Sequence, residues 1–280
     1  MRVAYLGPAW TYSEEALRAS ARGELEEVPY PTIHDAVMAV HDGGVDQAVV
    51  PIENSLEGSV AVTLDTLVLE ARDVRIAAEV VHPIRHCLIA LHELELTEVT
   101  RVISHPQATA QCARFLRERL PGAEHVNAPS TADAVLSLRD AGRGTAALGS
   151  RLAAELYGSV VLAAGVEDHP DNVTRFVWLA RAAEVRPPAS EDGAKTSIVF
   201  WGGGDQSPGW LVDVLGELSE REVNLTRIES RPRRIRLGHY MFFADLEGAA
   251  ESRPVSAALT AVGEHVEEVR VLGSYRSFTG

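Results

Sequence analysis

VDQAVVPIENSLEGSV, residues 45–60, runs from an apolar segment straight into a polar turn. Val45 to Ile52 reads as a buried strand, and helix-like periodicity takes over from Val60 to Leu69. Glu53, Asn54 and Ser55 therefore sit where a strand meets a helix. Asn54 or Ser55 would serve there as N-cap and Glu57 as a first-turn carboxylate. Backbone N–H groups at such a helix start can also hold a carboxylate.

The same strand–turn–helix unit recurs on both sides. Toward the N-terminus, Arg2 to Leu6 reads as a strand closed by Gly7-Pro8, with a helix over Ser13 to Ala21. Leu25 to Val28 is a short strand and Thr32 to Val40 a helix. Strands at Ile76 to Val81 and His86 to Leu91 break the alternation. A second set follows, with strands at Val99 to Ile103, His125 to Asn127, Thr145 to Leu148, Val160 to Ala163 and Phe176 to Leu179. Helices are expected over Ala108 to Leu120, Ala132 to Ala141 and Leu152 to Leu156. Such alternation predicts an α/β fold of parallel sheets covered by helices, in two lobes with a cleft. Ligands bind beyond the carboxyl ends of strands in such sheets. The polar clusters fall at strand ends: Gly7 to Thr11, Glu53 to Ser55 and Ser104 to Gln107, with Asn172 to Arg175 leading into a strand on the return.

From Ala182 the composition changes to AAEVRPPASEDGAK, whose prolines, small residues and charge mark a linker. Beyond it the order is strand, helix, strand, strand, helix, strand, the ferredoxin-like βαββαβ arrangement. The expected division is residues 1–182 as a first domain, 183–195 as linker and 196–280 as a second. A length of 280 residues suits two domains at roughly 150 residues each.

The formal charge of −14 argues against general binding to nucleic acid or acidic membranes, which needs excess Lys and Arg. Lys195 is the only lysine, so a cluster that receives a small anion must use Arg, His or backbone N–H groups. Cys87 and Cys112 have no metal spacing and read as small core residues. No stretch reaches the ~18 apolar residues of a membrane span, and the N-terminus lacks a signal peptide's apolar run. A cytoplasmic location is the expectation.

Two further clusters carry chemistry. In SHPQATAQC, Ser104 to Cys112, Ser104 could cap a helix with Gln107 closing a capping box, and Gln111 shares a helical face with Gln107. His105, held extended before Pro106, reads as a structural hydrogen-bonding residue. In NVTRF, Asn172 to Phe176, one Arg near three helix starts would receive an organic anion by bidentate contact. Thr174 would be a neutral proton donor beside it. Metal spacing and phosphate-loop patterns are absent, and Gly202-Gly203-Gly204 reads as a loop.

Together these stretches resemble the prephenate dehydratase family. The matching pieces are YLGPAWTYS (Tyr5 to Ser13), VPIENSLEGSV (Val50 to Val60), ISHPQATAQC (Ile103 to Cys112), STADAV (Ser130 to Val135) and NVTRF. The C-terminal part resembles the family's ACT regulatory domain through PGWLVDVL (Pro208 to Leu215), VNLTRIESRP (Val223 to Pro232) and GHYMFFADLEG (Gly238 to Gly248). The resemblance implies a periplasmic-binding-protein-like catalytic domain and a cofactor-free, metal-free reaction. Prephenate would lose its ring carboxylate as CO2 and its hydroxyl as water to give phenylpyruvate, in the making of phenylalanine.

The resemblance implies an essential role for Thr174, as a hydrogen bond to the departing oxygen or through a relay. A clamp on the ring carboxylate would stabilise charge that must disappear, so Arg175 is expected on the pyruvyl carboxylate. Asn54, Ser55, Ser104 and Gln111 would orient ring and hydroxyl. Glu53 would organise its neighbours or act as the acid behind a relay. Thr11, Asn172, Phe176 and Gln107 would contact substrate. In the regulatory domain Gly209, Leu211, Val212, Asn224, Leu225, Glu229, Ser230, Arg231 and Pro232 would bind L-phenylalanine as allosteric inhibitor. Dimers or tetramers with paired regulatory domains are implied.

Two positions depart from the family. The first turn usually reads Gly-Pro-x-Gly-Thr, and Trp10 replaces the second glycine. The usual Gly-Ala-Leu of the regulatory domain is Gly209-Trp210-Leu211. The alternatives are an arogenate dehydratase and a non-catalytic amino-acid sensor.

Overall fold

The structure, a computed structural model, describes residues 1–204 and 207–277. Along the chain run β1 (Arg2–Leu6), α1 (Tyr12–Ser20), β2 (Glu26–Tyr30), α2 (Ile33–His41), β3 (Gln47–Asn54), β4 (Gly58–Ser59), α3 (Ala61–Leu69), β5 (Val74–Pro83) and β6 (Cys87–Ala90). Next come β7 (Arg101–Ser104), α4 (Pro106–Gln111), α5 (Ala113–Arg119), β8 (Glu124–Asn127), α6 (Thr131–Ser137), β9 (Thr145–Gly149), α7 (Arg151–Tyr157), β10 (Val160–Ala164) and β11 (Val173–Arg181). The last elements are β12 (Ala194–Trp201), α8 (Trp210–Ser219), β13 (Leu225–Pro232), β14 (Tyr240–Glu247), α9 (Arg253–His265) and β15 (Glu268–Arg276).

Three sheets result. Their orders are β2-β1-β3-β11-β5 with β4 paired on β3, β10-β6-β9-β7-β8, and β13-β14-β12-β15. The alternating pattern is realised as parallel pairs where helices intervene, as between β1 and β2 and where β7 joins β8 and β9. β6 and β10 are antiparallel to their neighbours, so the second sheet is mixed. The third sheet is antiparallel throughout and has the ferredoxin-like order.

Several elements differ from the sequence reading. The helix expected over 108–120 is two, because Cys112 leaves the helical region (φ −112, ψ 18). Strand β11 already includes Thr174 and Arg175. Helix α3 spans Ala61–Leu69, within one residue of the expected start, but a hairpin between β3 and β4 separates it from Asn54 and Ser55, which therefore do not cap it. Lys195 lies in β12 rather than in the expected linker, its Nζ 2.8 and 3.0 Å from the two carboxylate oxygens of buried Glu79.

The chain divides into two compact units. The first comprises Met1–Ala36, Val49–Val60 and Val81–Phe176; the second comprises Val37–Ala48, Ala61–Val80 and Val177–Gly280. In the first, Leu88, Val102, Leu116 and Leu148 form a core on one side of the second sheet, and Ile89, Val135, Leu138 and Ala147 form another. In the second unit Ile198, Phe200, Trp210, Val214 and Val262 pack α8 and α9 on the four-stranded sheet.

Arginines of the four-stranded part fasten α3 within that second unit. Arg231 reaches both carboxylate oxygens of Asp65 at 2.7 and 2.8 Å, and Arg234 joins the same carboxylate. Arg270 donates to the carbonyls of Leu67 and Val68 at the end of α3, where helix carbonyls lack intrahelical partners. Asp65 is 4% exposed, and burying a charged group is costly unless it is paired and hydrogen-bonded, as it is here. Gly273 of β15 approaches β5 so closely that a Cβ would lie 2.3 Å from the Ile76 carbonyl oxygen. Gly273→Ala is accordingly expected to lower the unfolding free energy by about 1–3 kcal/mol through overpacking; urea titration at constant m-value measures it, and an unchanged midpoint would contradict the contact.

Candidate active site

A cavity of about 770 Å³ opens within the first unit. Its wall is built by the turn after β1 (Gly7, Pro8, Thr11), the first residues of α1 (Tyr12, Ser13), Asn54 at the end of β3, and Thr174 and Phe176 on β11. The lining also includes His86, His105, Gln107, Gln111, Ser130, Thr131 and Asp133. Prolines 29, 31, 51 and 129 with Ile33, Val60 and Ile84 supply much of the apolar surface. Among the described residues lining the cavity there is no arginine and no lysine.

Asn54 organises the polar side. It ends β3, and its Oδ1 accepts from the main-chain N–H groups of Leu56 and Glu57 at 2.9 and 3.0 Å, a turn-closing use of Asn. Those donors determine which end of the amide is oxygen, so Nδ2 faces Thr174 Oγ1 and Asn172 Oδ1, both at 2.9 Å. Since Thr174 Oγ1 accepts this bond, its own proton is left for another partner, and Thr174 lines the cavity. Asn172 is fully buried, and its Nδ2 continues to Gln111 Oε1 at 3.2 Å. Gln111 Oε1 also lies 3.0 Å from His86 Nε2, while His86 Nδ1 is 3.0 Å from the Tyr12 hydroxyl. Burial lowers the His86 pKa, against the raising effects of the Gln111 hydrogen bond and the Glu167 charge.

Of the residues expected from sequence, Thr174, Asn54, Gln111, Thr11, Phe176 and Gln107 line this cavity. Asn172 stands just behind, linking Asn54 to Gln111. Ser55 supports the same turn by accepting from the Val173 N–H at 3.0 Å. Two expectations are corrected. Arg175 does not line the cavity: alternation along β11 sends Thr174 and Phe176 to one face and Arg175 to the other. There Arg175 Nε and Nη2 meet Glu53 Oε2 at 3.1 and 3.0 Å, an arrangement compatible with Glu53 as an organiser of its neighbours, one of its two expected roles. Ser104 donates to the Leu148 carbonyl and binds β7 to β9, while His105 is the true N-cap of α4, accepting from the Gln107 N–H.

His86 and Tyr12 went unread in the sequence. A lone His opening an apolar strand, in RHCLIA, gives no pattern signal. Trp10 keeps the left-handed backbone expected of the glycine it replaces, with φ 71. Its N–H donates to buried Glu14, and the Arg18 guanidinium lies 5.0 Å over its ring. Thr11 thus stays in register, donating to the Leu6 carbonyl at 2.9 Å.

A smaller cavity of about 210 Å³ lies in the four-stranded part, lined by Ser207, Gly209, Trp210, Leu211, Val212, Gly238, Tyr240 and Phe242. Gly209, with φ +91, holds a backbone that favours glycine and starts α8. Trp210 is 8% exposed: its indole packs with Phe200 and Phe242 and donates to the His265 carbonyl at 2.7 Å. Asn224, Leu225, Glu229, Ser230, Arg231 and Pro232 are not part of this lining. Asn224 instead bonds through its carbonyl to the Glu247 N–H, Leu225 packs on the core, Glu229 to Pro232 lie along β13, and Arg231 is committed to Asp65.

The sequence pattern of the family described as prephenate dehydratase matches residues 3–184, and that of the ACT domain matches residues 196–264. The chain is 40% identical to a prephenate dehydratase of Mycobacterium sp. (strain JLS), over 99% of this chain and 90% of that protein. A prephenate dehydratase from Arthrobacter aurescens, solved in complex with L-Phe, superposes with a TM-score of 0.90 at 36% identity, covering 99% of this chain and 90% of that one. GqqA, described as a novel type of quorum quenching acylase, superposes with a TM-score of 0.87 at 33% identity, covering 99% and 98%. With both family patterns in order along the chain and identity sustained over nearly its full length, the chain belongs to the prephenate dehydratase family, and its C-terminal part is an ACT domain.

Proposed function

We propose that the 770 Å³ cavity is where this lyase turns prephenate into phenylpyruvate, with Thr174 hydrogen-bonding the departing hydroxyl. The observation that carries the reading is the Asn54-to-Thr174 hydrogen bond, which commits the Thr174 oxygen and leaves its proton for the substrate. The electron pair of the bond to the ring carboxylate moves into the ring as CO2 departs. The C4–O pair leaves with the oxygen as hydroxide, which becomes water on taking a proton from solvent. A threonine hydroxyl is too weak an acid to hand over its proton, so it serves as a placed dipole.

The cavity wall suits decarboxylation. A guanidinium on the ring carboxylate would hold back the charge that must be lost, and Arg175 is engaged with Glu53 instead. Neutral donors lining the cavity, among them Ser13 and Gln107, face the space where the substrate carboxylates would lie. An acylase activity like that described for GqqA would need an activated nucleophile. Ser104 donates to a carbonyl, and burial raises the Cys87 and Cys112 thiols, so no observation favours that reading.

For the smaller cavity the reading is L-phenylalanine as allosteric inhibitor, held by Gly209, Leu211 and Val212, with 1–182 as catalytic domain, a linker that ends before β12 starts at Ala194, and the regulatory domain beyond it. β13 is an edge of its sheet and exposes Ile228, which supports pairing of two copies edge to edge in a homodimer or a tetramer. Among the described residues no helix is long and apolar enough to cross a membrane, and a cytoplasmic location is proposed.

Thr174→Ala should lower kcat on prephenate about 10²–10³-fold, the effect of removing one placed donor, with KM little changed. Asn54→Asp keeps the acceptor for Leu56 and Glu57 but removes the donor; Thr174 then turns its proton to the new carboxylate, and kcat falls at least about tenfold. A phenylpyruvate assay reads both, and a Thr174→Ala enzyme at parental kcat would overturn the assignment. L-phenylalanine should inhibit turnover and raise the thermal midpoint, and Gly209→Val should abolish both responses; inhibition surviving in Gly209→Val would place the effector elsewhere.

A further inference from the structure

The hydrogen-bond chain that starts at Asn54 ends on a histidine to which nothing above gives a role. We propose that His86, as the neutral imidazole with its proton on Nε2, is a positioning residue that aims the Gln111 amide NH2 into the cavity. The proposal rests on the reading of that cavity as the dehydration site and gives the departing hydroxyl a second placed donor beside Thr174.

The direction of every bond follows from two main-chain groups. Leu56 and Glu57 N–H can only donate, so the Asn54 atom they meet is Oδ1 and its other end is the donor. The Asn172 atom 2.9 Å from Asn54 Nδ2 must therefore accept, which turns Asn172 Nδ2 toward Gln111. The Gln111 atom receiving that bond is Oε1, and the same oxygen lies 3.0 Å from His86 Nε2. Two lone pairs cannot share a hydrogen bond, so Nε2 carries the proton. Gln111 is 9% exposed with its oxygen held by two donors, and its NH2 is the end left for the cavity it lines.

The far side of the ring is built to match. With burial favouring the neutral ring, Nδ1 is a lone pair; the Tyr12 hydroxyl 3.0 Å away donates first to the Arg85 carbonyl at 2.8 Å and offers Nδ1 only a share of that proton in a three-centre bond, so the Gln111 side sets the tautomer. The Tyr12 ring stands edge-on to the imidazole, with centroids 5.6 Å apart at 82°. The His86 main chain is fixed too: its N–H donates to buried Glu167 at 2.8 Å and its carbonyl accepts from the Val166 N–H. The opposite tautomer would set a lone pair against Gln111 Oε1. The amide would have to rotate and present its oxygen to the departing hydroxyl, and Asn172 opposes that rotation.

The test separates a donor at the Nε2 position from mere filling of space. His86→Leu should lower kcat on prephenate about 10–100-fold, the effect of one lost buried hydrogen bond, with KM within about threefold. His86→Gln, whose amide N–H reaches the Nε2 position, should recover kcat to within about threefold of the parent. His86→Asn, which reaches only the Nδ1 position, should not. In a double-mutant cycle, adding His86→Leu to Gln111→Leu should cost nothing further, because both act through one amide. Nitrogen-15 NMR of the intact enzyme should find His86 protonated on Nε2. Additive losses, equal rescue by Asn and Gln, or an Nδ1-protonated ring would each overturn the proposal, and the NMR and rescue arms hold even if His86→Leu fails to fold. Thr174→Ala assayed alongside keeps the two readings apart: full activity there sinks the dehydration site itself, whereas a dead Thr174→Ala with additive His86 losses sinks only the role of His86.

Discussion

Two main-chain N–H groups, those of Leu56 and Glu57, determine how the proposed active site is polarised. By capturing Asn54 Oδ1 they fix which end of an otherwise ambiguous amide donates. From that point each partner has its role assigned: Thr174 Oγ1 accepts, Asn172 Oδ1 accepts, and Asn172 passes a donor on to Gln111. The chain turns neutral side chains into oriented dipoles without placing a formal charge among them. Orientation of this kind is laid down at folding and costs no reorganisation when the bond breaks.

A second constraint acts in the other compact unit, where charge is used and buried. Asp65 on α3 receives Arg231 and Arg234, Glu79 receives the only lysine of the chain, and Arg270 caps the carbonyl end of α3. Removing one partner of such a pair leaves an uncompensated buried charge, so these contacts hold α3 and β5 to the four-stranded part specifically. Along the chain α3 begins at Ala61, two residues after β4 ends, and β4 pairs with the Asn54 end of β3. The segment that carries the polarising turn is thus continuous with the helix that the ACT-domain arginines grip.

How much of this was legible in the sequence depended on whether a residue's role is local. Period-2 and period-3.6 patterns gave nearly every element, because burial of one face is written into neighbouring residues. The mouth of the site was legible for the same reason, since Asn54, Gln111 and Thr174 sit in compact polar clusters at element ends. What failed was direction. ENS was expected to cap a helix, whereas the chain folds back as a hairpin, and nothing in GSVAV distinguishes a two-residue strand from a first helical turn. Arg175 was expected in the cleft by its company with Thr174. Once β11 is seen to begin at Val173, adjacency in sequence becomes opposition in space. His86 was illegible because its partners, Gln111 and Tyr12, lie 25 and 74 residues away in the chain. Trp210 was readable only as a large residue in a small residue's place; its inward turn depends on the His265 carbonyl, supplied from another helix.

The pairing of Arg175 with Glu53 bears on why the cavity has the character it does. Both residues neighbour the proposed catalytic pair in the chain, Arg175 beside Thr174 and Glu53 beside Asn54. Their mutual ion pair, on the far faces of adjacent strands, withdraws one charge of each sign from the cavity at once. A free guanidinium there would stabilise the carboxylate that has to be lost. Pairing the two behind the sheet lets the strand ends present Asn54 and Thr174 as neutral dipoles, in a pocket whose walls include five prolines and four branched aliphatic residues. In such surroundings dipoles act at low effective dielectric and count for more than they would in water. A reaction driven by aromatisation needs orientation and one well-aimed donor more than it needs charge.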